Sequence, residues 1–267
     1  MLPYFELRTI PIGGGRSVAV FGVLVVIGIA VGIRFAHARA RALGIGEREI
    51  NTAMAWALLA GFLGSHVEVL LLHQAGADNR GVWGLVRYWN GMSAVGGFFG
   101  ALVGLTVYFG RKRRTWLVEA DILMQALVLG WVFGRLGCTV VHDHIGRLSV
   151  FPLAIRFPDG PRHDLGFYEF LYTLGVLVPA VLLLNRRQRA PGTTIWVIVL
   201  LYAPVRFVAD FLRNTDLAGA DVRYLGLTPA QYACVVLTVI GVAMAWRLHD
   251  HGGVAGPEPS GPRGHGV

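Results

Sequence analysis

The sequence predicts an all-α integral membrane protein of seven transmembrane helices, and three observations predict it. Of its 267 residues, 54% are hydrophobic and only 15% are charged, whereas an ordinary soluble domain carries roughly 25% charged residues. Its mean hydropathy is +0.56. Apolar runs close to the length that crosses a bilayer, about 20 residues, recur seven times along the chain. This composition excludes a disordered, collagen-like or disulfide-rich secreted chain. Cys138 and Cys234 both sit inside apolar runs and make no CxxC pair, so neither a bridge framework nor a redox motif is present. The net charge of +8 belongs to loops facing the cytoplasm and not to a nucleic-acid surface.

The spans follow in order. Ser17–Ala36 is an apolar run whose basic cluster comes after it, unlike a cleavable signal peptide. Ile50–Leu72 is the second. Met92–Phe109 is the third, opened by Trp89-Asn90-Gly91 and rich in small residues that allow close helix contact. Leu117–Val141 follows the basic run Arg111-Lys112-Arg113-Arg114, and Gly166–Leu184 carries Tyr168-Glu169 near its start. Thr193–Leu212 follows the arginine-rich stretch at 185–189, and Thr228–Trp246 is the last. Residues 1–251 thus form one membrane domain, and the Gly/Pro-rich Gly252–Val267 reads as a disordered cytoplasmic tail.

Lysine and arginine counts orient the bundle. Segments at one side hold thirteen and those at the other hold nine, with the thirteen packed into shorter loops. The positive-inside bias predicts an N-terminus outside and a C-terminus in the cytoplasm. A fusion reporter should see the loops near Gly146 and Arg223 as external.

Charge inside a span costs roughly 2.5–3.5 kcal/mol on insertion scales, so each instance needs a reason. Arg135 lies near the outer end of the fourth span, in Gly134-Arg135-Leu136-Gly137-Cys138. Arg206 and Asp210 stand at i and i+4 in the sixth, on a stripe with Tyr202 and Arg213. An intrahelical ion pair that snorkels outward is the plainest account of Arg206. Two arginines at similar depth fit an anionic target better, because a guanidinium pairs bidentately with phosphate. The outer loop Val141-His142-Asp143-His144-Ile145-Gly146-Arg147 adds imidazoles, a carboxylate and another phosphate donor within a few residues. Gly146 permits a positive φ or a close backbone approach. His163 and Asp164 add to the same outer cluster, while His66, Glu68 and His73 lie in and beside the second span.

Taken together these stretches resemble the prolipoprotein diacylglyceryl transferase family of bacterial inner membranes. Trp89–Gly97 resembles that family's Trp-x-Gly-Gly-Met-Ser-x-His-Gly-Gly element. Gly134–Arg147 resembles its Gly-Arg-x-Gly-Asn element followed by Asn-Gly-Glu-x-x-Gly-Arg. Tyr168-Glu169 matches a Tyr-Glu pair, and Arg206–Arg213 matches an Arg-Phe-x-x-Glu-Phe-x-Arg stripe. The resemblance implies transfer of the diacylglyceryl group from phosphatidylglycerol to the lipobox cysteine of a prolipoprotein signal peptide. It implies a multi-pass protein of the bacterial inner membrane, among membrane lipids, with no metal or organic cofactor. Arg135 and Arg206 would hold the phosphate, with Asp210 beside Arg206 and with Gly146 and Arg147 shaping the exit. His142 or His144 would take the thiol proton, oriented by Asp143.

The departures from the family pattern are specific. Val95 stands at its motif histidine, Cys138 at its asparagine and Asp143 at its glutamate; Phe21 stands for a tyrosine and His66 for an arginine. Two alternatives follow. A membrane metalloenzyme could draw on His142, His144, His163, Asp143, Asp164, His66 and Glu68, although His-x-His has no second spaced motif behind it. A paralogue that binds phospholipid without turnover is the other.

Overall fold

The computed structural model describes residues 1–68, 94–110, 116–217 and 220–250. The chain opens with β1 (Leu2–Pro3), β2 (Thr9–Gly13) and β3 (Arg16–Ala19), then α1 (Val20–Ala42), α2 (Glu47–Glu68), α3 (Ala94–Gly110) and α4 (Trp116–Val141). Next come β4 (Ile145–Leu148), β5 (Ile155–Phe157), β6 (Gly160–Asp164) and α5 (Leu165–Tyr172). A π-helical turn, Thr173–Leu177, joins α5 to α6 (Val178–Leu184). The chain then continues through α7 (Thr193–Ala209), a 3₁₀ turn at Asp210–Leu212, and α8 (Pro229–Asp250).

Six helical stretches among the described residues are long and apolar enough to cross a membrane, and the stretch Val95–Gly110 is apolar but shorter. Over its described residues each predicted span falls on a helical stretch, the fifth on two helices joined by the π turn. Residues 69–72, Trp89–Ser93, the basic run at 111–114 and the tail 252–267 lie outside the described residues.

Small residues set how closely the helices approach. A Cβ at Gly28 of α1 would lie 2.6 Å from the Gly130 carbonyl oxygen of α4, and one at Gly100 of α3 would lie 2.2 Å from the Ala60 carbonyl oxygen of α2. Glycine there lets the backbones touch, which is how helices associate where lipid gives no hydrophobic drive. Ile122 and Ala126 of α4 pack with Ala36, Ala40 and Ile50 at one end; Val128 packs with Leu177, Val181 and Ile198 further along. Large apolar side chains such as Val26, Leu59, Phe99 and Val239 face outward, as a hydrocarbon environment allows.

The expected all-α fold needs one amendment. The segments before α1 and between α4 and α5 build a four-stranded sheet in the order β1-β5-β6-β4 and a separate β2–β3 hairpin. These strands are 2 to 5 residues long, too short for an alternating pattern to register in the sequence. The sheet connects the ends of α4 and α5. Arg162 on β6 forks onto Asp216 at 3.1 and 2.6 Å and donates to the Gly146 carbonyl at 3.2 Å, tying the sheet to the chain beyond α7. At the opposite end of α4, Asp121 accepts from the backbone N–H groups of Gly192 (2.7 Å) and Ile195 (3.0 Å). It thereby caps α7. Helices α4 and α7 are thus fastened at both ends, and the arginines they carry sit between.

Candidate functional site

Three elements bring the site together. The last turns of α4 present Arg135 and Cys138, α5 presents Glu169, and α7 with the 3₁₀ turn that continues it presents Tyr202, Arg206 and Asp210 on one stripe. Asp164 starts α5 by accepting from the Phe167 N–H at 2.8 Å. Gly166 permits that start to press against α4, since a Cβ there would lie 3.0 Å from the Cys138 backbone. One helical turn later Glu169 therefore reaches Arg135.

Glu169 is the hub. Its Oε2 lies 2.9 Å from Arg135 Nη2 and accepts from the Tyr202 hydroxyl at 2.8 Å, and its Oε1 lies 3.2 Å from Arg206 Nε. Arg206 also donates to Asp210 at 2.6 Å, and the second oxygen of Asp210 accepts from the Thr228 hydroxyl. All four charged groups are buried. The intrahelical Arg206–Asp210 pair is present, yet Arg206 does not snorkel outward; it turns inward to a second carboxylate. Two guanidinium and two carboxylate groups balance each other, which meets the demand that buried charge be paired. One donor is left over: Arg135 Nε is buried with no hydrogen-bond partner among the described residues. The Arg135 guanidinium carbon lies 4.5 Å over the Trp131 ring.

The loop after α4 separates its two histidines. His144 Nε2 lies 3.3 Å from Arg135 Nη1, and Nδ1 lies 2.6 Å from Asp143 Oδ1. A guanidinium has no lone pair to offer, so Nε2 is the acceptor and Nδ1–H donates to Asp143. The Asp143 carboxyl is desolvated, which would raise its pKa, but the bond from His144 and the charge of Arg135 hold it below the usual carboxylate range.

His142 points elsewhere. Its backbone is left-handed, with φ of 52°, at the place of the glycine in the family's Asn-Gly-Glu pattern. Its ring is buried, with Nδ1 2.6 Å from Asp164 Oδ2 and Nε2 2.6 Å from the Phe5 carbonyl oxygen. The carbonyl only accepts and so does an ionised carboxylate, so both ring nitrogens donate and the ring is an imidazolium. Desolvation opposes that charge, but the Asp164 and Phe5 bonds overcome it and raise the His142 pKa. Tyr4 stacks on the ring with centroids 5.0 Å apart.

The remaining residues divide similarly. Gly146 is buried and bridges to Arg213; a Cβ there would lie 2.6 Å from the Leu212 carbonyl oxygen. Close approach, not a positive φ, explains this glycine. Arg147 is exposed on β4. His163 bonds to the Tyr168 hydroxyl at 2.9 Å, and burial together with the charge of Arg147 lowers its pKa. Phe21 lies against Gly137 of α4. Cys138, Asp143 and His144 bring possible metal-ligand atoms within 4.8 Å of one another. Arg135 Nη1, however, is 3.3 Å from His144 Nε2 and 3.7 Å from Cys138 Sγ, so these donors already meet a fixed positive charge. Sequence reasoning missed the bridging role of Glu169 and the hydroxyl of Thr228. Tyr168-Glu169 carried the signal for the first, and nothing local marked the second.

A family model described as prolipoprotein diacylglyceryl transferase matches residues 9–247. A phosphatidylglycerol–prolipoprotein diacylglyceryl transferase of Nitratidesulfovibrio vulgaris is 28% identical over 243 residues, covering 89% of this chain and 91% of that one. One of Idiomarina loihiensis is 27% identical over 206 residues, 75% and 77% of the two chains. One of Polynucleobacter asymbioticus is 28% identical over 256 residues, 92% and 97% of the two chains.

Proposed function

The chain belongs to the prolipoprotein diacylglyceryl transferase family, and we propose that it moves the diacylglyceryl group of phosphatidylglycerol onto the lipobox cysteine of a prolipoprotein. The observation that carries this reading is the convergence of Arg135 and Arg206, from two different helices, on one buried carboxylate. A phosphodiester entering there can exchange with Glu169 for both guanidinium groups, with Arg135 Nε as a further donor. Asp210 acts by holding Arg206 in place and does not touch the phosphate.

The reaction displaces a phosphate oxygen from an sp³ glycerol carbon. The substrate thiol gives its proton to His144 Nε2, whose lone pair is released as Arg135 turns from it to the phosphate, while Asp143 holds the opposite ring nitrogen. The sulfur then bonds to the glycerol carbon as the carbon–oxygen bond breaks. Glycerol phosphate departs as an anion held by the arginines, and a thioether remains. Positive charge on the leaving group and a base for a thiol of free pKa about 8.5 are the two requirements. His142 holds the N-terminal segment instead of handling protons, Gly146 keeps β4 against the chain after α7, and Arg147 offers charge at the rim. The chain works as a seven-span protein of the bacterial inner membrane, N-terminus outside and C-terminus cytoplasmic. The signal peptide would approach from the outer side.

Complementation of a bacterial strain depleted of its own diacylglyceryl transferase tests the reading, together with transfer of labelled diacylglycerol from phosphatidylglycerol to a lipobox peptide. Growth and peptide labelling support it. Phosphatidylglycerol binding with no labelled peptide would overturn it in favour of the non-catalytic paralogue, which Val95 and Phe21 favour by removing a family imidazole and a family hydroxyl.

A further inference from the structure

The first nineteen residues form an element that the transfer chemistry does not use. Phe5 to Arg8 cross the ends of two helices: the Leu7 N–H donates to the Val140 carbonyl of α4 at 2.9 Å, and the Val20 N–H of α1 donates to the Arg8 carbonyl at 3.0 Å. The His142 ring pins the same segment through the Phe5 carbonyl. The β2–β3 hairpin follows, turning at Gly13, Gly14 and Gly15, all with positive φ, and β3 runs directly into α1.

This hairpin stands clear of the body. Every residue of both strands is exposed, and an isolated two-stranded ribbon is at best marginally stable in water. Its two faces differ. Ile10 pairs with Val18 across the strands on one face, and Ile12 is the extra residue where the register shifts between Pro11 and Gly13. These three are 45%, 36% and 61% exposed. The opposite face carries Thr9, Pro11, Ser17 and Ala19. Phe5 and Leu7, 56% and 46% exposed, add apolar surface to the segment that leads in. Arg16 sits at the turn, where its charge can reach lipid phosphate.

We propose that residues 5–19 form an amphipathic foot that rests on the bilayer surface, with Ile10 and Val18 dipped into the boundary between headgroups and acyl chains. Position selects the occupant. The hairpin is continuous with a membrane-spanning helix, so it lies at the depth of the lipid headgroups whichever way the bundle is oriented. There an apolar strip with an arginine at its tip matches an anionic phospholipid interface. The proposal does not depend on the transferase reading.

The test is site-directed spin labelling of the full chain in nanodiscs of phosphatidylglycerol and phosphatidylcholine. Single cysteines replace Ile10, Val18, Thr9 and Ser17, one at a time. The native Cys138 and Cys234 are buried, and the unsubstituted protein supplies their background. Labels at 10 and 18 should collide more with oxygen than with a water-soluble nickel chelate, and labels at 9 and 17 should show the reverse. Equal water access at 10 and 17 would overturn the proposal. So would shielding of 10 that appears only in discs holding two copies, which would mean the strip covers a second chain. Because no activity is read, failure of the transferase reading leaves this result intact.

Discussion

Arg135 and Glu169 face each other at 2.9 Å with 8% and 6% of their side chains exposed. Removing one member of such a buried pair leaves the other uncompensated, at a cost of about 3–5 kcal/mol. Glu169→Gln should therefore lower the unfolding temperature more than a change at exposed Arg147. Thermal unfolding in detergent or nanodiscs checks this, and equal stability of the two variants would contradict the hub assignment.

Arg135→Ala should abolish turnover while the protein still inserts. It removes the guanidinium expected at the departing phosphate, an electrostatic contribution of the kind worth about 10²–10³ in rate. Lysine at the same position should rescue only in part, since it keeps charge without the planar fork. Labelled-lipid transfer in vesicles is the measurement, and full turnover in Arg135→Ala would remove the phosphate-clamp assignment.

The two histidines should respond oppositely. His144→Ala should lose about 10²–10⁴ in rate, as general-base removal does. The deficit should shrink toward high pH, where the substrate thiol ionises unaided. His142→Ala should keep its pH–rate profile and lose stability instead. A His142→Ala variant with the alkaline rescue and an indifferent His144→Ala would reverse the assignment.

The His142 latch has its own pH dependence. Its folded pKa is raised above the ordinary value, against desolvation, by Asp164 and the Phe5 carbonyl. Its contribution to stability is thus fully present below about pH 6.5 and is lost as pH rises through the raised folded value. The unfolding temperature of the native protein should exceed that of His142→Asn most at acidic pH, and the gap should narrow on alkalinisation. A gap independent of pH would show that the ring works without its second proton.

Reporter fusions after Arg113 and Arg187 should report cytoplasm, and fusions after Gly146 and Arg223 the outer side, from the thirteen-to-nine bias. An outer signal at Arg187 would invert the bundle.

The spans were readable because each is a long signal: twenty or so apolar residues cannot be mistaken for a soluble loop. The β-strands were not, since a two-residue strand such as β1 is defined by its partner β5 and not by its own composition. Arg135, Arg206 and Asp210 announced themselves as charge where charge is expensive. The hub at Glu169 required the angle between α5 and α7. His142 and His144 were indistinguishable as letters two apart. The left-handed backbone at His142 accompanies a ring turned toward Asp164 and Phe5, while its neighbour stays with Arg135.

The π turn at Thr173–Leu177 sets the phasing of the helical stretch that contains Glu169. Along an unbroken α-helix, Glu169 and Val181 would point about 120° apart, at about 100° per residue. A π turn absorbs about one extra residue, which cuts that divergence to about 20°. The carboxylate at one end and the apolar Val181 at the other can then both face the interior, where each is buried. The sensitive alteration here is thus an added residue. Deleting the exposed Gly175, which no Cβ contact constrains, would let the π turn close into an ordinary α turn and keep the two halves in phase, whereas one residue inserted there would turn one half against the other by about 100° and swing Glu169 off the arginines.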